Sequence, residues 1–579
     1  MSSKDQNHDQ EITHQHHAPY LSGLALKLLI PLLEYVPGVS SYFFWNTGLK
    51  VLRNRPYKEE MTIVPLPLPK ELFGIENPKA VDGFEIFSQK KKTHNQVPEN
   101  QRFLCVSDYT EAYTTKNITP LQVCEKLIDN IKHSCSKACD PPLYGMYQYH
   151  EDDIMVQAEA STSRYNQNQS LGPLDGVPVA VKDELDVVGY ETHVGTAFLN
   201  RGNPAPRDAF LIRKLKEQGA IIIGKTNMHE LGFDITTNNP NTHTSRNPYN
   251  TNHYCGGSSG GSACVVASGL CPISIGCDGG GSIRIPSSFC GIYGLKPTCG
   301  RISSVGEFAL GCSVAVAGPL AACVDDLALS YYAIAGKDPE DPRTLHQPPP
   351  TLHGLYFTDD LSDLKIGIFS QWNKQVKDPL ITSALNEYID EFKRRGAEFI
   401  EIDIPELEEA RIAHLITIGS EHCSVVDGFK KQAHLLNLPN RANIATLSNA
   451  SASDYIKAQQ VRTRIMHNVS SVFSDVNLIL TPTCAITAPP IYRRALKYGE
   501  INTSVTADGI RFVQLANFTG IPAITVPAGY DDKNLPIGLQ FMAKWYDEAT
   551  LLRVAKVSEE ILGNKRQRPA EKYWFGDLL

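Results

Sequence analysis

The sequence predicts an α/β fold, and three observations carry that reading. Two strand–helix–strand units stand out. In the first, the alternating run Val177–Lys182 reads as a strand, a helix follows around Ala209–Gln218, and Ala220-Ile221-Ile222-Ile223 is the next strand. In the second, Leu364–Phe369 and Phe399–Ile402 flank a helix near Ile381–Arg395. Such alternation buries a sheet against helices. The third observation is length. A chain of 579 residues can bury a large core, and α/β folds are the ones that reach such a size as one unit. There is no internal repeat.

Taken in order, residues 1–20 read as a polar tail, with His14, His16 and His17 as solvated side chains. The tail lacks the basic start and early apolar run of a secretory leader, which predicts an intracellular protein. Residues 21–107 read as a helical extension and connector. Leu24, Leu28, Leu29, Leu32 and Leu33 recur at helical spacing, but Lys27, Pro31 and Glu34 interrupt them. The run falls short of the roughly 20 mostly apolar residues that a spanning helix needs. Pro37-Gly38 marks a turn before the aromatic run Tyr42–Trp45, and Lys50, Arg53 and Arg55 follow. That combination suits a membrane interface, such as the endoplasmic reticulum or plasma membrane. A helix that caps the main domain or joins a homodimer is the competing expectation. Pro56–Asn100, with Lys90-Lys91-Lys92, reads as an extended surface connector.

Residues 108–579 read as the main α/β domain. Thr119 can cap a helix that starts at Pro120 and shows an apolar stripe of Val123, Leu127, Ile128 and Ile131. Asp338–Pro350, rich in proline, reads as an exposed loop.

Composition excludes several classes. A net charge of −8 and a pI near 6.1 argue against nucleic-acid binding. The 14 cysteines are scattered without a CxxC pair, as expected of reduced, buried thiols. His133, Cys135 and Cys139 lack a second ligand cluster, so no metal is expected. Gly219–Thr226 matches a P-loop formally, but Ala-Ile-Ile-Ile inside it is the best strand candidate nearby. Gly257–Gly261 matches a nucleophile elbow, but Asn252–Cys255 is a poor preceding strand, so Ser259 reads as a neighbour of the site. No cofactor motif survives.

The chemistry concentrates in two glycine-rich stretches, Gly256-Gly257-Ser258-Ser259-Gly260-Gly261-Ser262 and Asp278-Gly279-Gly280-Gly281-Ser282-Ile283-Arg284. Glycine lets backbone N–H groups face a ligand without a Cβ in the way. A serine after three glycines sits where a nucleophile and an oxyanion hole can coincide. Lys182, in Val179-Ala180-Val181-Lys182-Asp183, can act as a base if desolvation strips its proton.

These segments resemble the amidase signature family. Further matches run in family order from about Asp108 to Leu562. They include Pro173–Pro178, Gly224–Gly232, Gly294–Thr298, Asn517–Ala523 and Leu535–Gln540. The segment from Ala18 also resembles the plant-type fatty acid amide hydrolases of that family. The resemblance implies a large twisted mixed β-sheet covered by helices on both faces. It implies a Ser–Ser–Lys triad with Ser282 as nucleophile, Ser258 as bridge and Lys182 as base. The N–H groups of Gly279, Gly280, Gly281 and Ser282 would form the oxyanion hole. It implies hydrolysis of lipid amides of the N-acylethanolamine type, without a cofactor. A soluble short-chain amidase, a catalytically silent binding protein and an amidotransferase A subunit remain as alternatives.

Two electrostatic expectations follow. A free lysine has a pKa of about 10.4, so burial must depress Lys182 for it to act near neutral pH. Strand alternation should turn Asp183 away from it. Asp278 and Arg284 bracket the nucleophile loop and could brace it as an ion pair.

Overall fold

The computed structural model describes residues 20–46, 48–55, 57–67, 83–88 and 101–579. The N-terminal segment forms strand β1 (Leu21–Ser22) and helices α1 (Gly23–Tyr35) and α2 (Val39–Asn46). After a helix at Val106–Thr114, the body includes α3 (Pro120–Ser134), β2 (Met146–Gln148), β3 (Pro178–Lys182), α4 (Phe210–Glu217) and β4 (Ile221–Thr226). The glycine-rich region supplies α5 (Gly260–Ala267), β5 (Ile273–Asp278), α6 (Arg284–Phe289), β6 (Tyr293–Lys296) and β7 (Val316–Ala321). The next elements are β8 (Lys365–Ile368), α7 (Pro379–Arg394), β9 (Glu398–Glu401), α8 (Leu407–Asp427), α9 (Leu438–Leu447) and α10 (Ala452–Asp475). β10 (Leu478–Pro482), β11 (Glu500–Ile501), α11 (Gln514–Thr519), β12 (Ala523–Tyr530) and β13 (Pro536–Ala543) follow, and a helix at Glu548–Leu562 comes after them.

Eleven strands join in one mixed sheet of order β2-β4-β3-β5-β7-β6-β12-β13-β10-β8-β9. β3 runs parallel to β4 and β5, and β8 runs parallel to β9 and β10. The other neighbours are antiparallel. Every residue of β3, β4 and β5 is buried, as expected of parallel strands covered on both sides. Both predicted strand–helix–strand units are present. So is the capped helix α3, in which the Thr119 side chain accepts from the Gln122 N–H at 3.2 Å. β4 runs extended through Gly224-Lys225-Thr226, so the P-loop match has no loop to wrap a phosphate. Lys225 is instead buried 3.3 Å from Asp183.

The N-terminal segment is built into the fold. β1 pairs antiparallel with β11, Leu21 opposite Ile501. Leu26, Ile30 and Leu33 of α1 pack on Ala442 and its neighbours in α9. Of the predicted stripe, Leu33 faces inward and Leu29 is half-buried. Leu24 (67% exposed), Leu28 (65%) and Leu32 (48%) point out. The helix is apolar all round, so periodicity does not identify its inner face. Pro31 lies inside α1, which continues to Tyr35. Lys27 does not break the helix either, and its ammonium sits over the Tyr498 ring. No single helix among the described residues is long and apolar enough to cross a membrane, and α1 and α2 meet at a bend of 103°.

Two loop expectations need correction. Residues 57–67 are not a free surface connector. The Thr62 N–H donates to Gln459 O, and the Arg462 guanidinium holds Ile63 O. The polar tail, Lys90–Lys92 and most of the connector lie outside the described residues. The segment Asp338–Pro350 is not simply exposed, because Asp338, Asp341, Thr344 and Gln347 are buried. Gln347 donates to Gly300 O, which pins the loop to the body.

Candidate active site

The site forms at the carboxyl ends of the parallel strands β3 and β5, where open α/β sheets place their ligands. β3 ends in Lys182. β5 ends in Asp278 and runs through Gly279–Ser282 into α6. Ser258 precedes α5, after a cis peptide bond from Gly257. The Gly257 position admits no side chain, since a Cβ there would lie 2.7 Å from Asp234 O.

Lys182 Nζ donates to Ser258 Oγ at 2.9 Å and to Cys277 O at 3.2 Å. The Ser259 N–H donates to Ser282 O at 3.2 Å, tying the two serine loops together. Ser259 Oγ turns to Cys277 O, which leaves it beside the site as expected. Lys182, Ser258 and Ser282 line one cavity of about 760 Å³, a volume that includes its open mouth. Much of the remaining wall is apolar and includes Phe233, Ile235, Leu310, Leu415, Ile418 and Ile510. Lys182 and Ser258 are each 1% exposed, while Ser282, Gly279 and Gly280 are half-buried.

The Asp278–Arg284 brace is present, 2.9 Å long and buried at both ends. Arg284 also donates to Val513 O, Gln540 and Asn517. Burial would raise the Asp278 pKa, but Arg284 overrides it and holds the carboxyl well below the usual range. Asp278 Oδ1 accepts from the Gly281 N–H at 2.7 Å, which takes Gly281 out of the predicted donor set. Gly281 has φ +110°, and a Cβ there would meet Val513 Cγ2 at 2.5 Å. We predict that Arg284→Met destabilises the fold by about 3–5 kcal/mol, the usual penalty for stranding a buried charge. The wild-type pair should stabilise fully above the unfolded aspartate pKa of about 3.9 and lose that contribution as pH falls further. Thermal melts of both proteins across acidic pH check this.

Lys182 departs from expectation. Burial pulls its pKa down, but the Glu184 carboxylate 2.7 Å from Nζ more than offsets that, leaving the ammonium above its ordinary value. Asp183 does turn away, to the Lys225 ammonium and the N–H groups of His193 and Gly195. The alternation that turned Asp183 away was the signal for Glu184. Other contributors carried no sequence signal. His414 Nε2 donates to Gly279 O at 2.8 Å. Burial lowers its pKa to about 4, so the ring is neutral and braces the loop as a donor. His414, Leu415 and Ile418 reach the cavity from α8, an ordinary helix by sequence.

Among the described residues, two groups bring three ligating atoms within 4.8 Å of one another: Cys105, Cys323 and Asp326, and Glu184, Cys277 and Glu307. In the first, Asp326 already accepts from the Val106 N–H at 3.1 Å. In the second, the Glu184 carboxylate is already paired with the Lys182 ammonium at 2.7 Å. His133, Cys135 and Cys139 form no such group. The two thiols point at Met146 O and Pro141 O.

A family model described as Amidase matches residues 130–552. The chain is 38% identical over 567 residues to a fatty acid amide hydrolase of Arabidopsis thaliana, covering 94% of this chain and 93% of the relative. It is 33% identical over 455 residues to the A subunit of the glutamyl-tRNA(Gln) amidotransferase of Halothermothrix orenii, covering 72% and 92%. Its fold matches that of a bacterial aryl acylamidase of the amidase signature family with a TM-score of 0.71 at 24% identity, covering 82% and 98%.

Proposed function

The chain belongs to the amidase signature family, and from that membership we propose that it hydrolyses fatty acid amides to a free fatty acid and an amine. One observation carries the reading. Lys182 Nζ reaches Ser258 Oγ at 2.9 Å on the wall of a cavity that Ser282 shares and whose remaining lining is largely apolar. With Lys182 as the neutral amine, Ser282 Oγ attacks the amide carbonyl and passes its proton to Ser258, which passes its own to Lys182. The relay then reverses and protonates the departing nitrogen. Water repeats the cycle on the acyl-enzyme. The N–H groups of Gly279, Gly280 and Ser282 are the proposed oxyanion donors.

The apolar wall favours an aliphatic acyl group. The match to the Arabidopsis hydrolase spans 94% of this chain, and that to the amidotransferase protein spans 72%, which supports a lipid amide over an ammonia-transfer role. The intact Lys182–Ser258 contact argues against a silent binding protein. Purified protein offered amides of short and long acyl chains should cleave the long ones with the higher kcat/KM. Equal or inverted preference would reject the lipid reading.

The outer face of α1 and α2 suits a membrane surface from which such substrates arrive, with a second copy of the chain as the competing occupant. Changing Leu24, Leu28, Leu32 and Trp45 to serine leaves the inward Leu26, Ile30 and Leu33 in place. At about 1 kcal/mol per half-buried apolar side chain, vesicle partition should fall on the order of 10²-fold or more. KM for long-chain amides should rise, and turnover of a short amide should hold. A changed oligomeric state with unchanged vesicle binding would favour the second copy.

A further inference from the structure

We infer that Glu184 takes the proton from Lys182 when the relay fires, so that the relay runs one residue beyond the lysine. This rests on the reading of Lys182 as the base. The Lys182 and Glu184 side chains are 1% and 3% exposed and lie 2.7 Å apart. Lys182 is only 1% exposed, at the cavity wall, so bulk water is a poor direct acceptor for its proton. Two of its three N–H donors go to Ser258 Oγ and Cys277 O, a hydroxyl and a carbonyl that cannot hold an extra proton. Among the described residues, Glu184 is the one carboxylate in contact with the Lys182 ammonium.

An ammonium–carboxylate pair and an amine–carboxylic acid pair have the same net charge. Burial penalises the charged form, so moving one proton between these partners costs far less than expelling it to water. The surroundings reinforce this. Leu185 bridges Glu307, which brings the Glu307 carboxyl to the Glu184 side. Burial and the Glu184 charge push Glu307 up to about 8, so it holds a proton at neutral pH. The other groups facing the pair are the Cys277 thiol, held protonated by burial, Arg343 beyond Glu307, and the buried, neutral-leaning rings of His229 and His422.

The step balances. The Nζ–H bond of Lys182 breaks and an O–H bond forms on Glu184, leaving a neutral amine. Ser282 Oγ then bonds to the carbonyl carbon, its proton moves to Ser258 Oγ, and the proton of Ser258 moves to Lys182 Nζ. Collapse of the tetrahedral adduct sends a proton back along the serines to the leaving nitrogen, and the Glu184 proton returns to Lys182. Glu184 acts through Lys182.

The alternative is that Glu184 only fixes Lys182 and strengthens its hold on its proton. The two readings predict opposite results for Glu184→Gln. As proton acceptor, its loss should lower kcat for a long-chain amide about 10²-fold, with a rate that climbs as hydroxide replaces the missing acceptor. Glu184→Asp should recover part of the rate with the wild-type pH profile. A Glu184→Gln enzyme with a wild-type plateau, and an acid limb moved to lower pH, would overturn the proposal. If the glutamine variant does not fold, Glu184→Asp decides alone. A reduced kcat with an unmoved limb supports the relay, and an unreduced kcat with the limb moved down rejects it. Lys182→Ala is run alongside. If it stays active, the reading of Lys182 as base fails. If it is dead while Glu184→Gln keeps its plateau, only the proposal about Glu184 fails.

Discussion

Ser282→Ala is expected to abolish amide turnover while leaving the protein folded. Removing a nucleophile from a unit that acts together costs on the order of 10⁴-fold or more in kcat. The fold has little reason to notice. Ser282 is half-buried at the cavity wall, and its carbonyl, not its hydroxyl, is what the Ser259 N–H grips at 3.2 Å. The loop's shape is set by Asp278, Arg284 and Asn517, which the substitution leaves alone. The melting temperature should therefore stay at the wild-type value. Steady-state kinetics and a thermal melt on one preparation test both halves. Residual activity of a few per cent would mean that another group attacks the amide. A collapsed melting temperature would mean that the loss is structural.

Lys182→Ala should be nearly as damaging to turnover, by roughly 10²–10⁴-fold, the usual contribution of a positioned base. The residual rate should rise with pH as hydroxide substitutes. Unlike Ser282→Ala, this change should also weaken the fold. It leaves the Glu184 carboxylate buried without its cation, and stranding a buried charge costs about 3–5 kcal/mol unless the group protonates. Combining Lys182→Ala with Ser258→Ala should cost little more than either alone, because both cut one relay. An unchanged pH–rate profile would show that a different residue is the base.

Much of this was legible in the sequence, for identifiable reasons. Both strand–helix–strand units and the capped helix α3 carry local signals, namely alternation, a capping threonine and a helical stripe. Ser258, Ser282 and Lys182 stood out because glycine-rich loops and a strand-ending lysine are local features too. Glu184 was equally legible, since it lies two residues from Lys182 on the same side of the chain. Glu307 and His414 were not legible. They reach the site from segments far along the chain and have no local pattern of their own. The inner face of α1 was ambiguous for another reason. A helix with leucine on every side gives no phase, and packing against α9 and its neighbours turns Leu26, Ile30 and Leu33 inward. The Gly281 N–H was assigned to the oxyanion hole because the sequence cannot show that Asp278 already holds it.

The central step is transfer of a fatty acyl group to Ser282. Purified protein turning over a long-chain N-acylethanolamine can be quenched in acid, digested and mapped by mass. The account predicts the mass of the fatty acyl group on the peptide that carries Ser282, absent from Ser282→Ala and transient in wild type. An acyl group on any other residue, or hydrolysis of the amide with no acylated peptide at any time point, would contradict it.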